Sequence, residues 1–414
     1  MVFLVLNLLA FLCPVLILGI WLIYFCQMLS TDRGGTSKKF SFLCGMFFAT
    51  FGYGMEAKWD NDLTRYYEKI ENIKVYEGLN TILLNDANKL YTQDILFYFV
   101  KKSGDLHLLP YIVGLIIYGI AYYVAFDMIE KSKHKFKRHE ILSICFIIFA
   151  IITPYSVIGN VRCVLAYTII SFAVYRELIQ RKKNIFTYFL YIIPLGLHSS
   201  AIIIIILRLF LSAFKKAGKA ILVIPFILPF IIGILYNIRN VFGNSLIGRL
   251  LYDSINKAYY YLNWTEGGWA SEVANSISDK MTRIYGTFFL LIILGISILT
   301  KNKKLSLLNS LFNVYIFSIA MCALGCLTIK TGAFWRFEAV VILFSPVIFV
   351  QLYERESKIT NMVINVIIIT TIFIFCANLV MLYRNLNIRE SLLNTISVNG
   401  FTILQDIFRG LGII

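Results

Sequence analysis

Runs of about twenty apolar residues recur from one end of this chain to the other, each closed by a short polar or basic turn, and nothing else in the sequence constrains the fold as strongly. In lipid such a run satisfies its backbone N–H and C=O groups only by coiling into a helix. The sequence therefore reads as an all-α polytopic membrane protein with about 12 membrane segments. Spans are expected near residues 2–28, 40–56, 108–128, 141–158, 161–178, 220–238, 284–300, 305–327, 339–353 and 359–383, with two shorter arms inside 185–214. Only 15% of the residues are charged and 59% are hydrophobic, whereas a soluble domain carries about a quarter charged. Residues 1–414 are read as a single integral membrane domain.

The formal net charge of +16 excludes less than it suggests, because the basic residues sit in the turns and form no stripe on a soluble face. TDRGGTSKK (31–39), EKSKHKFKRHE (130–140), RELIQRKKN (176–184), KKAGK (215–219), KNKK (301–304) and ERESK (354–358) follow the positive-inside pattern. No nucleic-acid partner is expected. The first run lacks a basic leader and a small-residue cleavage site, so it is expected to be a retained span. The eight cysteines lie in or beside apolar runs and read as small buried hydrophobes.

Residues 185–214 run between two basic turns and hold PLGLHSS near their middle. A single helix there would be about 45 Å long against a hydrocarbon core of about 30 Å, and would put the later basic turns outside. Two short arms meeting at His198 keep those turns inside. The same topology leaves two long external loops: 57–107, closing in an interfacial helix at TQDILFYFVKKSGD, and 239–283, rich in Tyr and Trp. Its rings suit either a headgroup belt or a platform for stacking sugars.

The charged residues that interrupt the apolar pattern are the candidates for chemistry. In WDNDLTRYYEKI (59–70), helical spacing puts Asp62, Arg65, Tyr66 and Lys69 on one face. Asp60 and Asp62 flank an asparagine, a spacing that could hold a divalent cation or simply open a solvated helix; no metal is assigned. Arg162 falls where the fourth run gives way to the fifth, a costly place for a cation that does not face a cavity, a partner or the interface. His198 stands at the break between the two arms, for function or for a hydrogen bond to Ser199 or Ser200. Arg336, beside Trp335 and Glu338, suits an interfacial anchor or a bidentate anion clamp. The sequence has no phosphate-binding GxxxxGK loop, no GxGxxG, no HExxH and no GxSxG, so nucleotide hydrolysis, zinc proteolysis and serine-hydrolase chemistry lack support.

The run NVRCVLAYTIISFAVYRELIQRKKNIFTYFLYIIPLGLHSSAIIIII resembles the core of the EpsG-like, Wzy-type bacterial polysaccharide polymerases. It has an arginine (Arg162), an alanine-containing span (Ala166), a basic turn (Arg181, Lys182, Lys183) and an arm ending in His198-Ser199. Asp62 and Tyr66 in DLTRYY, and the later WRFE, are similar to further segments of that group, while Cys163 stands where a polar residue is expected. The resemblance implies a type C glycosyltransferase joining undecaprenyl-diphosphate-linked oligosaccharide units into O-antigen, capsule or exopolysaccharide at the outer face of the bacterial inner membrane. Its partners would be the lipid-linked donor and acceptor and the bilayer, with room for a chain-length regulator; no cofactor is implied. Asp62, Arg162 and His198 would then be catalytic, and Asp60, Arg65, Tyr66, Arg336 and Glu338 would bind substrate. The alternatives are a flippase for lipid-linked oligosaccharide and a membrane O-acyltransferase acting on surface sugars.

Overall fold

The computed structural model describes residues 37–56, 62–85, 90–152, 161–217, 224–242, 245–262, 310–328, 337–354 and 358–413, with isolated positions elsewhere. Among the described residues every regular element is helical, so the fold is all-α. In chain order they are α1 (Ser37–Tyr53), α2 (Asp62–Glu71), α3 (Gly78–Asn85), α4 (Tyr91–Ser103), α5 (Leu108–Lys131) and α6 (Arg138–Ile151). Next come α7 (Val161–Leu178), α8 (Ile185–Ile192), α9 (Ala201–Leu209), α10 (Leu211–Ala217), α11 (Ile224–Asn237) and α12 (Leu246–Leu262). The last are α13 (Ser310–Thr328), α14 (Glu338–Tyr353), α15 (Lys358–Asn385), α16 (Ile388–Ser397) and α17 (Gly400–Leu411). Among the described residues, Leu108–Lys131 and Thr360–Val380 are long and apolar enough to cross a membrane. Expected spans such as 2–28 and 284–300 lie largely outside the described residues.

The chain divides into two compact units, Met1–Leu165 with Asn378–Ile414, and Ala166–Ala377. The first is organised on the pair α1 and α5, whose backbones approach along a seam of small residues. A Cβ on Gly45 would stand 2.9 Å from Gly119 Cα, one on Gly52 2.7 Å from the Pro110 carbonyl oxygen, and one on Gly114 3.2 Å from Ala49 Cα. In lipid, apolar contact with a helix gains little over contact with acyl tails, so close backbone packing is what pairs helices. Beside the seam Phe48 stacks on Tyr118 and Tyr122, with ring centroids 5.0 and 5.3 Å away.

The stretch 57–107, expected as a loop ending in one helix, is largely helical among its described residues. α4 buries Gln93, Phe97, Val100 and Ser103, spaced by four and three residues along one face, and α17 packs on it with Gly410 against Phe99. The basic turn before α6 is closed by Glu140, which accepts from the Lys137 N–H at 2.7 Å and lies 3.0 Å from His134 Nε2.

In the second unit α13 packs against α9, α10, α11 and α14 over the buried rings of Phe312, Tyr315 and Phe344. Residues 185–209 form a bent excursion. Asn184 caps α8 by accepting from the Thr187 N–H, and a 3-10 turn at Ile193–Gly196 ends it before α9 begins at Ala201. Arg176, in the last turn of α7, donates to Thr187 at the start of α8. Arg208, at the end of α9, donates through Nε and Nη2 to the two carboxylate oxygens of Glu177, at 3.0 and 2.5 Å. Both ends of the excursion therefore lie at the same end of α7. Its middle meets Tyr167, about 15 Å back along that helix. Tyr191 completes the anchor by donating to Glu177 at 2.9 Å.

Candidate functional site

Arg162, in the first turn of α7, is held by two neutral groups. Its Nε donates to the Tyr66 hydroxyl at 3.2 Å, its Nη1 to Gln93 Oε1 at 2.6 Å, and its Cζ lies 5.1 Å from the Tyr66 ring centroid. Tyr66 is delivered by the register of α2, which turns Leu63, Tyr66 and Ile70 inward. Gln93 comes from the buried face of α4, and Phe97, one turn on, packs 5.9 Å from the Tyr66 ring. Among the described residues no carboxylate pairs with Arg162, so the cradle orients the guanidinium without cancelling its charge. A guanidinium supported in this way suits a forked anion such as a phosphate.

The other predicted residues of 59–70 separate from Tyr66. Asp62 and Arg65 form an exposed ion pair at 3.4 Å, and Lys69 is exposed. Helical spacing allows the four to share a face, but the inward register of Leu63 and Ile70 takes Tyr66 with it. Asp60 and Arg336 lie outside the described residues; Glu338 opens α14, and its side chain is outside the description as well.

In the second unit His198 ends the chain of hydrogen bonds Tyr167–Ser200–His198. The Tyr167 hydroxyl lies 2.6 Å from Ser200 Oγ, which lies 2.6 Å from His198 Nδ1; the Ser200 backbone N–H also donates to Nδ1, at 3.3 Å. Donation from a backbone N–H leaves Nδ1 unprotonated and puts the ring proton on Nε2. Tyr167 is fixed by stacking on Phe337, with centroids 5.6 Å apart and planes 11° from parallel.

Three groupings were missed by sequence reasoning. Gln93, the strongest partner of Arg162, is a lone amide without a pattern to announce it. The aromatic run of 239–283 contributes a stack in which Tyr236 and Tyr259 lie 3.6 Å apart and Arg239 caps Tyr236 at 3.7 Å. The third is a carboxylate pair bridged by a phenol. The Tyr53 hydroxyl lies 2.6 Å from Asp105 Oδ2 and 2.9 Å from Asp406 Oδ2. One phenol hydrogen serves one carboxylate at a time, so the other carboxyl is best served by a proton of its own. Burial raises the Asp406 pKa and the Asp105 charge adds to it, against the opposing Tyr53 hydrogen bond and the charge of Arg409. Among the described residues no group of three or more His, Cys, Asp or Glu is placed to hold a metal ion.

Apolar helices, a cation in a neutral cradle and a hydrogen-bonded histidine at a helix break define an all-helical membrane protein with fixed polar groups. Residues 39–390, most of the chain, match the EpsG family, and the chain belongs to it. Membership points to a polysaccharide-polymerase-like function in the broad sense. No curated protein matches the chain, and no solved structure does.

Proposed function

We propose that this protein is a type C glycosyltransferase with about 12 membrane segments that joins undecaprenyl-diphosphate-linked oligosaccharide units into a surface polysaccharide at the outer face of the bacterial inner membrane. The observation that carries the reading is Arg162, a guanidinium supported by Tyr66 and Gln93 and left without a carboxylate partner among the described residues. A donor diphosphate would place two of its oxygens on that fork. As the sugar–phosphate bond breaks, negative charge grows on the bridging oxygen, and a preplaced cation stabilises that charge more than it stabilises the ground state. Diphosphate is a good leaving group, so no separate acid is required.

The test is deletion of the gene in its host, with surface polysaccharide resolved by size and the wild type restored on a plasmid. A ladder collapsing to carriers with one repeat unit, and restored by the plasmid, supports the reading. Loss of even the single unit from the surface would favour a flippase, and a full-length ladder lacking only acetyl groups an O-acyltransferase.

A further inference from the structure

The proposed polymerisation releases a proton from the acceptor hydroxyl, and neither Asp62, paired with Arg65, nor His198, whose Nδ1 is occupied by Ser200, is well set to take it. A different histidine in the first unit is. Glu56, just beyond α1, is locked to α16 and the chain before it: its N–H donates to Ser391 Oγ at 2.9 Å, its carbonyl accepts from the Asn387 N–H at 3.0 Å, and its Oε1 accepts from Asn394 at 3.0 Å. That same Oε1 lies 3.5 Å from His107 Nε2. The backbone of His107 is fixed in turn by donation to Asp105 Oδ1 at 2.8 Å, and its ring lies between those of Tyr53 and Tyr67, 5.8 and 6.1 Å away.

Two buried polar atoms at this place have no partner among the described residues: His107 Nδ1 and the Tyr67 hydroxyl. A buried orphan is unfavourable, and orphans on two neighbouring rings call for groups that answer them. A hydroxyl does so by donating to Nδ1 while accepting from the phenol; an ionised phosphate has no hydrogen to give. Burial raises the Tyr67 pKa, with the charges of Glu56 and Asp105 adding to it, so the phenol stays protonated and able to donate. The side chains of His107 and Glu56 are 29% and 33% exposed, so the pair lies near the surface of the first unit, while Nδ1 and the Tyr67 hydroxyl are themselves covered and a substrate must uncover them. Tyr66 and Tyr67 are consecutive on α2, about 100° apart around the helix, so one helix serves Arg162 on one side and His107 on the next.

We infer that His107, oriented by Glu56 and faced by Tyr67, is the general base that takes the proton of the acceptor sugar's hydroxyl, an inference that rests on the polymerase reading. With Glu56 Oε1 3.5 Å from Nε2, the carboxylate favours the ring proton on that nitrogen, which leaves the Nδ1 lone pair for the substrate. In the step, the acceptor oxygen bonds to the donor's anomeric carbon and its proton passes to Nδ1. The anomeric carbon–oxygen bond breaks with its electron pair going to the lipid diphosphate, and the imidazolium then returns its proton to water. The charged groups facing His107 are Glu56 and Asp105, with Asp406 beyond Tyr53 and itself paired to Arg409.

The experiment uses full-length protein in lipid nanodiscs with a synthetic lipid-diphosphate oligosaccharide, recording kcat/KM against pH and, separately, binding of the lipid diphosphate. H107Q should lower kcat by about 100-fold or more while donor binding stays within threefold. E56Q removes the carboxylate that faces Nε2 and should lower kcat less than H107Q does, with donor binding kept, and E56D should recover part of that loss. Y67F should lower kcat/KM less than H107Q. H107Q or E56Q turning over at the wild-type rate would overturn the inference. Should H107Q not accumulate, E56Q with its E56D rescue decides alone. Wild-type protein that binds the lipid but makes no polymer would instead sink the polymerase reading.

Discussion

Arg162 and Arg208 are two half-buried cations in an oily chain, and their surroundings give them opposite characters. Arg208 is neutralised by Glu177 through two hydrogen bonds, with Tyr191 on the same carboxylate, and the group ties both ends of the 185–209 excursion to the end of α7. Arg162 rests on a hydroxyl and an amide, which orient a guanidinium without cancelling its charge. Among the described residues the charge of Arg208 is cancelled by a carboxylate, and that of Arg162 is not. What separates them is the charge of the partner and not the residue type or the apolar setting.

The largest effect is expected at Arg162. Arg162→Ala should reduce polymer formation by at least about 100-fold at unchanged membrane level, the range for removing one preplaced donor to a developing anion. R162K keeps the charge but loses the fork, and should fall between. A normal ladder in R162A would break the comparison, because that cation would then be structural.

Breaking the other pair should act on stability instead. Glu177→Ala leaves Arg208 without its carboxylate and should cost about 3 kcal/mol, read as lost folded protein on heating in detergent. E177L with R208M removes both charges and should recover most of that loss. A double variant no better than the single would show that the pair does more than hold the 185–209 excursion. The glycine seam gives a somewhat smaller effect: Gly45→Val should destabilise the α1 and α5 pair by about 2 kcal/mol, since its side chain would meet backbone that cannot step aside.

The smallest effect is a pH dependence at the carboxylate pair. The folded pKa of Asp406 is raised by burial, so the folded protein holds that proton more tightly than the unfolded chain does. Its contribution to stability is present below the ordinary carboxylate range and is lost as pH rises through the raised folded value. D406N should flatten that part of the stability curve measured by thermal unfolding. A curve identical to wild type would place the shared proton elsewhere.

Much of this was legible because the rules of lipid are strict. A cation inside an apolar run has few inexpensive explanations, and that alone singled out Arg162. A histidine at PLGLHSS marked the break, and its neighbour Ser200 could be read from the same motif. Arg208 passed unnoticed although it is just as costly, because it closes a run and reads as a flanking charge. Gln93 and Tyr167 carried no signal, since an amide and a tyrosine are tolerated on many helix faces and only a partner distant in sequence gives them a role.

The sequence by itself determined the all-helical class and the family, since long apolar runs leave the backbone one way to satisfy itself and the arginine and histidine motifs are local. The tertiary structure decided which cation meets a carboxylate and which rests on neutral groups. It alone brought Glu56, Tyr67, His107 and Asn394 to one place, across 338 positions of chain between Glu56 and Asn394. Periodicity records which face of a helix is apolar, whereas a hydrogen bond between distant residues depends on how those faces close on one another, and single-sequence patterns carry no term for that.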